Sequence, residues 1–310
     1  MNIYVSGSMA YDRIMDFPGK FSDHILPGKI HILNVCFTVN GMVEKFGGTA
    51  GNIAYSLSLL KEKPVILATI GKDYESYFRW LKKKKISIKG LKIIQGEFTA
   101  GAYITTDKSD NQITGFNPGA MKHQSKYKFS SVDPEDSIVL IAPGNLQDMI
   151  KYAGTCKKKG INYICDPGQS LTAWGKKDLI EWIKGSMMLI SNDYELEMIM
   201  NRTGIGKKGL LKLTKTIITT LGEKGSLIST SKSDISIRAA KVLDVVDPTG
   251  AGDAYRAGLL KGLAIGRDIR SAAKIGAVAA TYAIEKYGTQ EHHYTYQDFI
   301  KRYRSNFGEM

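Results

Sequence analysis

The chain has too few cysteines to be a cross-linked or metal-clasped scaffold. Among its 310 residues there are three, Cys36, Cys156 and Cys165, an odd set without C-x-x-C spacing. That pattern excludes a disulfide framework or zinc ribbon and points to a reducing compartment with idle or buried thiols. No apolar run approaches the ~20 residues of a membrane span, and Met1-Asn-Ile-Tyr-Val-Ser-Gly7 carries no basic segment ahead of its short apolar stretch. A cytoplasmic protein without membrane contact is expected. Low-complexity tracts, long-period repeats and linker-like stretches are also missing, so one domain over residues 1–310 is expected, with 43% hydrophobic residues to fill its core.

Acidic residues are outnumbered, 30 against 43 Lys and Arg, for a net charge of +13. The excess would suit a nucleic-acid binder, yet the dense basic run Lys82–Lys85 follows an expected helix (Tyr74 to Leu81), and the other lysines are scattered. No aromatic-interleaved patch or helix-turn-helix spacing accompanies them. The surplus reads as solvated charge with some attraction for anionic nucleotides, and no nucleic-acid partner is expected. A Walker A loop, G-x-x-x-x-G-K-[ST], does not occur. Gly204-Ile-Gly206-Lys-Lys-Gly209 matches G-x-G-x-x-G but follows a helical pattern (Tyr194 to Met200), whereas a dinucleotide fingerprint must follow a strand.

What the chain does contain is alternation. Short apolar runs (Ile3–Val5, Val65–Leu67, Ile138–Ile141, Ile161–Ile164, Met187–Ile190, Thr216–Thr219, Leu227–Ile228) read as strands. Amphipathic stretches such as Asn52–Leu60, Leu146–Lys158 and Tyr194–Met200 lie between several of them. The order predicts an α/β fold whose parallel sheet is covered on both faces, with ligands beyond the carboxyl ends of the strands. Two segments break the alternation. The first carries β-type stretches at Ile30–Val35 and Phe37–Val39, the second at Ala102–Thr106.

The run Asp247-Pro-Thr-Gly-Ala-Gly-Asp253 joins a β-type stretch (Ile235–Val246) to a helical pattern (Ala254–Ile265). Small residues at Gly250, Ala251 and Gly252 leave backbone N–H groups open at a helix start, where unpaired donors and the dipole attract phosphate oxygens. Asp253 sits beside that nest. A carboxylate there repels the ligand that the amides attract, which suits a proton acceptor better than a binding group.

This run resembles D-T-x-G-A-G-D, the C-terminal signature of the ribokinase (PfkB) family of carbohydrate and nucleoside kinases, with Pro248 in place of the usual Thr. Gly47-Gly48-Thr-Ala-Gly-Asn52 resembles the family's G-G-x-x-x-N, Asn192-Asp-Tyr-Glu195 its N-x-x-E, and Thr220-Leu-Gly222-Glu-Lys-Gly225 its T-x-G-x-x-G loop. Gly7-Ser-Met-Ala-Tyr-Asp12 matches the G-N-x-x-x-D lead-in more loosely. The resemblance implies a ribokinase-like three-layer fold with a mostly parallel sheet, and a small β lid built by segments about 12–43 and 97–119. It implies an ATP-dependent phosphotransferase in which Asp253 is the base and the Gly250, Ala251 and Gly252 amides hold the transferred group. Asp12, Gly47, Gly48 and Asn52 would grip the acceptor. Asn192 and Glu195 would act through water on Mg²⁺, and Thr220, Gly222 and Gly225 would lie against the nucleotide. Some family members bind a monovalent cation such as K⁺, and Asp247, Thr249 and Gly288 occupy the corresponding stretches. A homodimer through the lid is a further expectation.

The lid stretch Thr106–Met121, with Gly288-Thr-Gln290-Glu-His292, resembles the adenosine/nucleoside kinase branch. Gln112, Phe116 and Met121 suit a base as well as ordinary lid packing. The expected reaction is phosphorylation of the 5′-hydroxyl of a nucleoside such as adenosine. A sugar kinase acting on ribose or fructose is the alternative, and a silent nucleotide-binding regulator lies outside the class.

Overall fold

The structure, a computed structural model, describes residues 1–309. Its strands are β1 (Asn2–Ser6), β2 (Ala10–Asp16), β3 (Met42–Gly47), β4 (Val65–Gly71), β5 (Leu91–Ile94), β6 (Ala100–Thr106), β7 (Gln112–Asn117), β8 (Ser137–Ile141), β9 (Asn162–Cys165), β10 (Met188–Asn192), β11 (Ile217–Thr220), β12 (Ser226–Ser229) and β13 (Asp234–Ile237). The helices are α1 (Thr49–Leu59), α2 (Glu75–Lys83), α3 (Leu146–Lys159), α4 (Lys176–Ile183), α5 (Asp193–Thr203), α6 (Lys207–Leu210), α7 (Ala251–Ala264), α8 (Ile269–Ile284) and α9 (Tyr296–Phe307). None of them is long and apolar enough to cross a membrane, among the described residues.

Nine strands form the main sheet in the order β13-β12-β11-β10-β9-β8-β1-β4-β5. From β11 to β5 neighbouring strands run parallel, and β12 and β13 close one edge as antiparallel strands. The apolar runs are continuous because both faces are covered. Ile3 and Val5 pack on the face carrying α1, α7 and α8, while Tyr4 packs on the face carrying α3, α4 and α5. β8 repeats the split, with Ile138 and Leu140 on one side and Val139 and Ile141 on the other. This is the three-layer architecture expected from the alternation.

A second sheet, β3-β2-β6-β7, makes the lid. Its strands cover 10–16, 42–47, 100–106 and 112–117, so β2 and β3 begin earlier and end later than the 12–43 segment. The β-type stretches expected at Ile30–Val35 and Phe37–Val39 do not form. Pro27 opens a 3-10 turn over Pro27–Ile32, and the rest is irregular. The strand expected over Ile235–Val246 is also shorter. β12 begins at Ser226, paired with Ile237, so the ladder ends there.

Helices α7 and α8 approach through glycines. A Cβ on Gly258 would sit 2.6 Å from the Ile275 carbonyl oxygen, and one on Gly276 2.8 Å from the Tyr255 carbonyl oxygen. Because α7 begins with the Asp253 turn, this contact sets where that turn lies. Gly258→Ala is expected to force the helices apart at a cost of about 1–3 kcal/mol. Urea unfolding checks this, and a midpoint equal to that of the parent chain would show that the helices are not locked here.

Candidate active site

Beyond the carboxyl ends of the central strands lies a cleft of about 830 Å³, within the usual range for small-molecule sites. Asp166 just after β9, Asn192 at the end of β10 and Thr220 at the end of β11 line it, and the start of α7 closes one wall. Of the residues singled out from sequence, Asp12, Gly48, Asn52, Asn192, Glu195, Thr220, Gly222, Gly225, Gly250, Ala251, Gly252 and Asp253 all face this cleft.

Gly250 caps α7 in the left-handed region at φ 78°, a backbone that a side chain would strain. The Ala251 N–H donates to the Pro248 carbonyl at 3.1 Å. The three-amide nest therefore narrows to Gly250 and Gly252. Asp253 follows in the first turn, and its Oδ2 accepts from Asn52 Nδ2 at 2.9 Å. Asn52, in the first turns of α1, thus meets the carboxylate directly. Burial pushes the Asp253 carboxyl up to about 6, although the Arg256 guanidinium and the Asn52 amide pull it back. A carboxylate tuned into that range is matched to proton transfer near neutral pH.

Arg256, one helical turn after Asp253, is buried and was not singled out from sequence. Its Nη2 donates to Asp166 Oδ1 at 2.7 Å, and its Nε faces Asp166 Oδ2. Burial works against the Arg256 charge, but the carboxylates of Asp166, Asp253 and Glu195 outweigh it and raise its pKa. A Cβ on Gly252 would lie 2.7 Å from Arg256 Nη1. The cation therefore lies directly against the anion-binding turn, and a side chain at Gly252 would push on it. The i, i+3 spacing of Asp253 and Arg256 was the available signal; Asp166, 90 residues away, offered none.

On the opposite wall Asp12 sits in β2, paired across the strands with Lys45 of β3. Burial raises its pKa, with Thr289 and Lys45 drawing it back. Gly47 makes room for this carboxylate, since a Cβ there would lie 2.5 Å from Asp12 Oδ2. Gly48, at φ 87°, lies tight on the β1–β2 turn, where a Cβ would meet the Ser8 oxygen and Ala10 nitrogen at 2.6 Å. The two glycines thus serve packing around Asp12 as well as the cleft surface.

Asn192 and Glu195 form a capping box at the start of α5. Asn192 Oδ1 accepts from the Glu195 N–H at 2.7 Å, and Glu195 Oε2 accepts from the Asn192 N–H at 2.9 Å. Burial raises the Glu195 pKa, with the Asn192 N–H opposing it. The box holds both side chains at the cleft. Thr220, Gly222 at φ 58° and Gly225 at φ 90° form the turn between β11 and β12 on the same wall. Both carboxylate oxygens of Asp247 accept backbone N–H bonds, from Thr249 at 2.9 Å and Gly288 at 2.8 Å, which brings the three stretches of the expected cation site together.

Gln112, Phe116 and Met121 do not join this cleft. β7 is the outer strand of the lid, paired only with β6, and is exposed along its length, with Phe116 54% accessible. Met121 lines a separate narrow recess with Ser6, Gly7, Ser8, Thr69 and Asn145.

The chain is 36% identical over 274 residues to a nucleoside kinase of Methanocaldococcus jannaschii, covering 87% of this chain and 89% of that one. The solved structure of a Methanocaldococcus jannaschii nucleoside kinase, described as an archaeal member of the ribokinase family, superposes with a TM-score of 0.88 at 31% identity over 99% of each chain. A Burkholderia thailandensis nucleoside kinase in complex with inosine superposes with a TM-score of 0.86 at 32% identity, covering 99% of this chain and 98% of that one. The model of the pfkB family of carbohydrate kinases matches residues 22–295, and it is to this family that the chain belongs.

Proposed function

We propose that this chain transfers the γ-phosphoryl group of ATP to the 5′-hydroxyl of a nucleoside, adenosine foremost, within one domain spanning residues 1–310. The observation that carries the reading is the hydrogen bond from Asn52 to Asp253 at the anion-binding turn. It joins the two halves of the cleft at the carboxylate that must take the proton. Similarity to nucleoside kinases, one of them in complex with inosine, supports the acceptor class.

In this reading Asp253 accepts the proton of the attacking hydroxyl, and the Gly250 and Gly252 amides, backed by Arg256, hold the charge on the transferred group. Asp12 takes the vicinal ribose hydroxyls. Thr220, Gly222 and Gly225 lie against the nucleotide. Among the described residues no three Asp, Glu, His or Cys are grouped as a ready-made ligand set. Glu195 and Asn192, tied together at the cleft, would hold Mg²⁺ on the phosphates through its waters. When bound, it screens the phosphate charge. K⁺ near Asp247, Thr249 and Gly288 and a cytoplasmic location complete the reading. A homodimer through the lid is supported by the exposed apolar side chains of Met42, Val43, Ile113 and Phe116.

Asp253→Asn keeps the size of the side chain but cannot take the proton, so turnover should fall by roughly two to four orders of magnitude while ATP binding persists. Parent-like turnover would sink the base assignment. In the parent chain kcat/KM should fall about tenfold per pH unit below pH about 6 as Asp253 protonates, and flatten above it; a flat profile from pH 4.5 to 7 would contradict this. With ATP as donor, ADP release should favour adenosine or inosine over free ribose by at least about tenfold in kcat/KM, because only a nucleoside adds a base to be stacked and desolvated. Equal or better use of ribose or fructose would move the chain to the sugar-kinase reading and leave the Asp253 chemistry in place.

A further inference from the structure

Behind Asp253 runs a polar chain that the phosphoryl-transfer chemistry does not use. Gln290 lies between α8 and α9, is only 3% exposed, and holds φ at 60°, in the left-handed region that side chains seldom occupy. Its own hydrogen bonds hold it there. Gln290 Oε1 accepts from Trp80 Nε1 at 2.9 Å, and Gln290 Nε2 donates to Tyr77 Oη at 2.7 Å and to Asn52 Oδ1 at 3.0 Å. The Tyr77 hydroxyl then donates to the Gly47 carbonyl at 2.7 Å. Gly51 keeps the space open, since a Cβ there would collide with the Tyr77 hydroxyl.

The direction of every bond in this chain is set by its first member. An indole N–H can only donate, so Trp80 draws the Gln290 oxygen toward itself and turns both amide hydrogens toward Tyr77 and Asn52. Asn52 Oδ1 is thereby spent as an acceptor, and its Nδ2 must face Asp253. Trp80 is itself fixed, stacked on Phe46 at 5.3 Å and 12° and on Tyr55 at 5.9 Å and 14° between ring planes. We infer that Gln290, oriented by Trp80, is a positioning residue that locks the Asn52 amide so that its N–H occupies Asp253 Oδ2 and leaves Oδ1 to meet the acceptor hydroxyl. An Asn52 amide turned the other way would set its oxygen against the carboxylate. The inference rests on the reading of Asp253 as the base.

The charged groups bearing on Asp253 are Arg256 on the same helix and Asp166 after β9, and the neutral Tyr77 hydroxyl feels both Asp253 and Asp12. All four remain in two variants that break the chain higher up. Trp80→Phe keeps the stacked ring and removes the donor. Gln290→Glu keeps the shape and replaces the amide donor by an oxygen facing Asn52.

The test is ¹³C-carboxyl NMR of aspartate-labelled, ligand-free protein, with the Asp253 signal assigned by its loss in Asp253→Asn. The Asp253 titration midpoint should rise by about half a unit or more in Trp80→Phe, since Asn52 no longer stabilises the ionised form, and by about one unit or more in Gln290→Glu, where the new carboxyl adds its own repulsion. With adenosine, kcat should fall at least about tenfold while KM for ATP stays within about threefold. A role in packing alone would not move the midpoint. A midpoint within about 0.2 units of the parent value in folded Trp80→Phe overturns the inference, and that variant decides the matter if Gln290→Glu does not fold. If Asp253→Asn retains turnover while the Trp80→Phe midpoint rises, the base assignment falls and the orienting chain stands.

Discussion

One half-buried contact, from the Asn52 amide to the Asp253 carboxylate, is the constraint on which the site depends. The two residues are 201 positions apart and sit at the starts of α1 and α7, on the same face of the main sheet. A carboxylate drawn out of water is tolerated only with partners. Here a neutral amide supplies one bond, and the Arg256 guanidinium supplies charge from beneath. Each of these is anchored elsewhere. The start of α1 is pinned by Ser8, whose Oγ accepts from the Thr49 N–H at 3.0 Å, and by Thr49 itself, whose hydroxyl donates to the Pro143 carbonyl at 2.8 Å. α7 is held by its close crossing with α8.

The Arg256–Asp166 pair serves placement more than stability. Bringing two charges out of water offsets much of their attraction, so a buried pair of this kind is a weak source of folding energy. Its effect is to fix a positive charge against Gly252, at the end of the helix where the dipole is already positive. The anion-binding turn thus combines a backbone feature with a side-chain cation arriving from behind.

Much of this was legible in the sequence, and the reason differs by element. The strands of the main sheet announce themselves because a sheet covered on both faces needs uninterrupted apolar runs, as in Ile138–Ile141. An acidic residue in a first helical turn is common for dipole reasons, so the anion-binding turn shows mainly through its resemblance to a family signature. Asn192 and Glu195 were visible as an N-x-x-E motif, although the capping box that ties the two together required coordinates. The stretch 30–39 misled because Ile30, Ile32 and Leu33 are apolar yet exposed, so their pattern has no buried face to report. Asp166 and Gln290 carry no local signature. They act through partners 90 and 238 residues away, and the spacing along a chain does not encode that.

The raised pKa of Asp253 has a cost outside the reaction. In an unfolded chain this carboxyl would titrate near the ordinary aspartate value of about 3.9, whereas in the fold it does so at about 6. Between those values the folded chain binds more protons than the unfolded one, so this group's contribution to stability declines as pH rises through the window and is level above it. The ionised Asp253 that the proposed chemistry needs is thus the form the fold holds less firmly. Protein at pH 5 should gain from this site a resistance to unfolding that it gives up near neutrality, where the carboxylate becomes able to work.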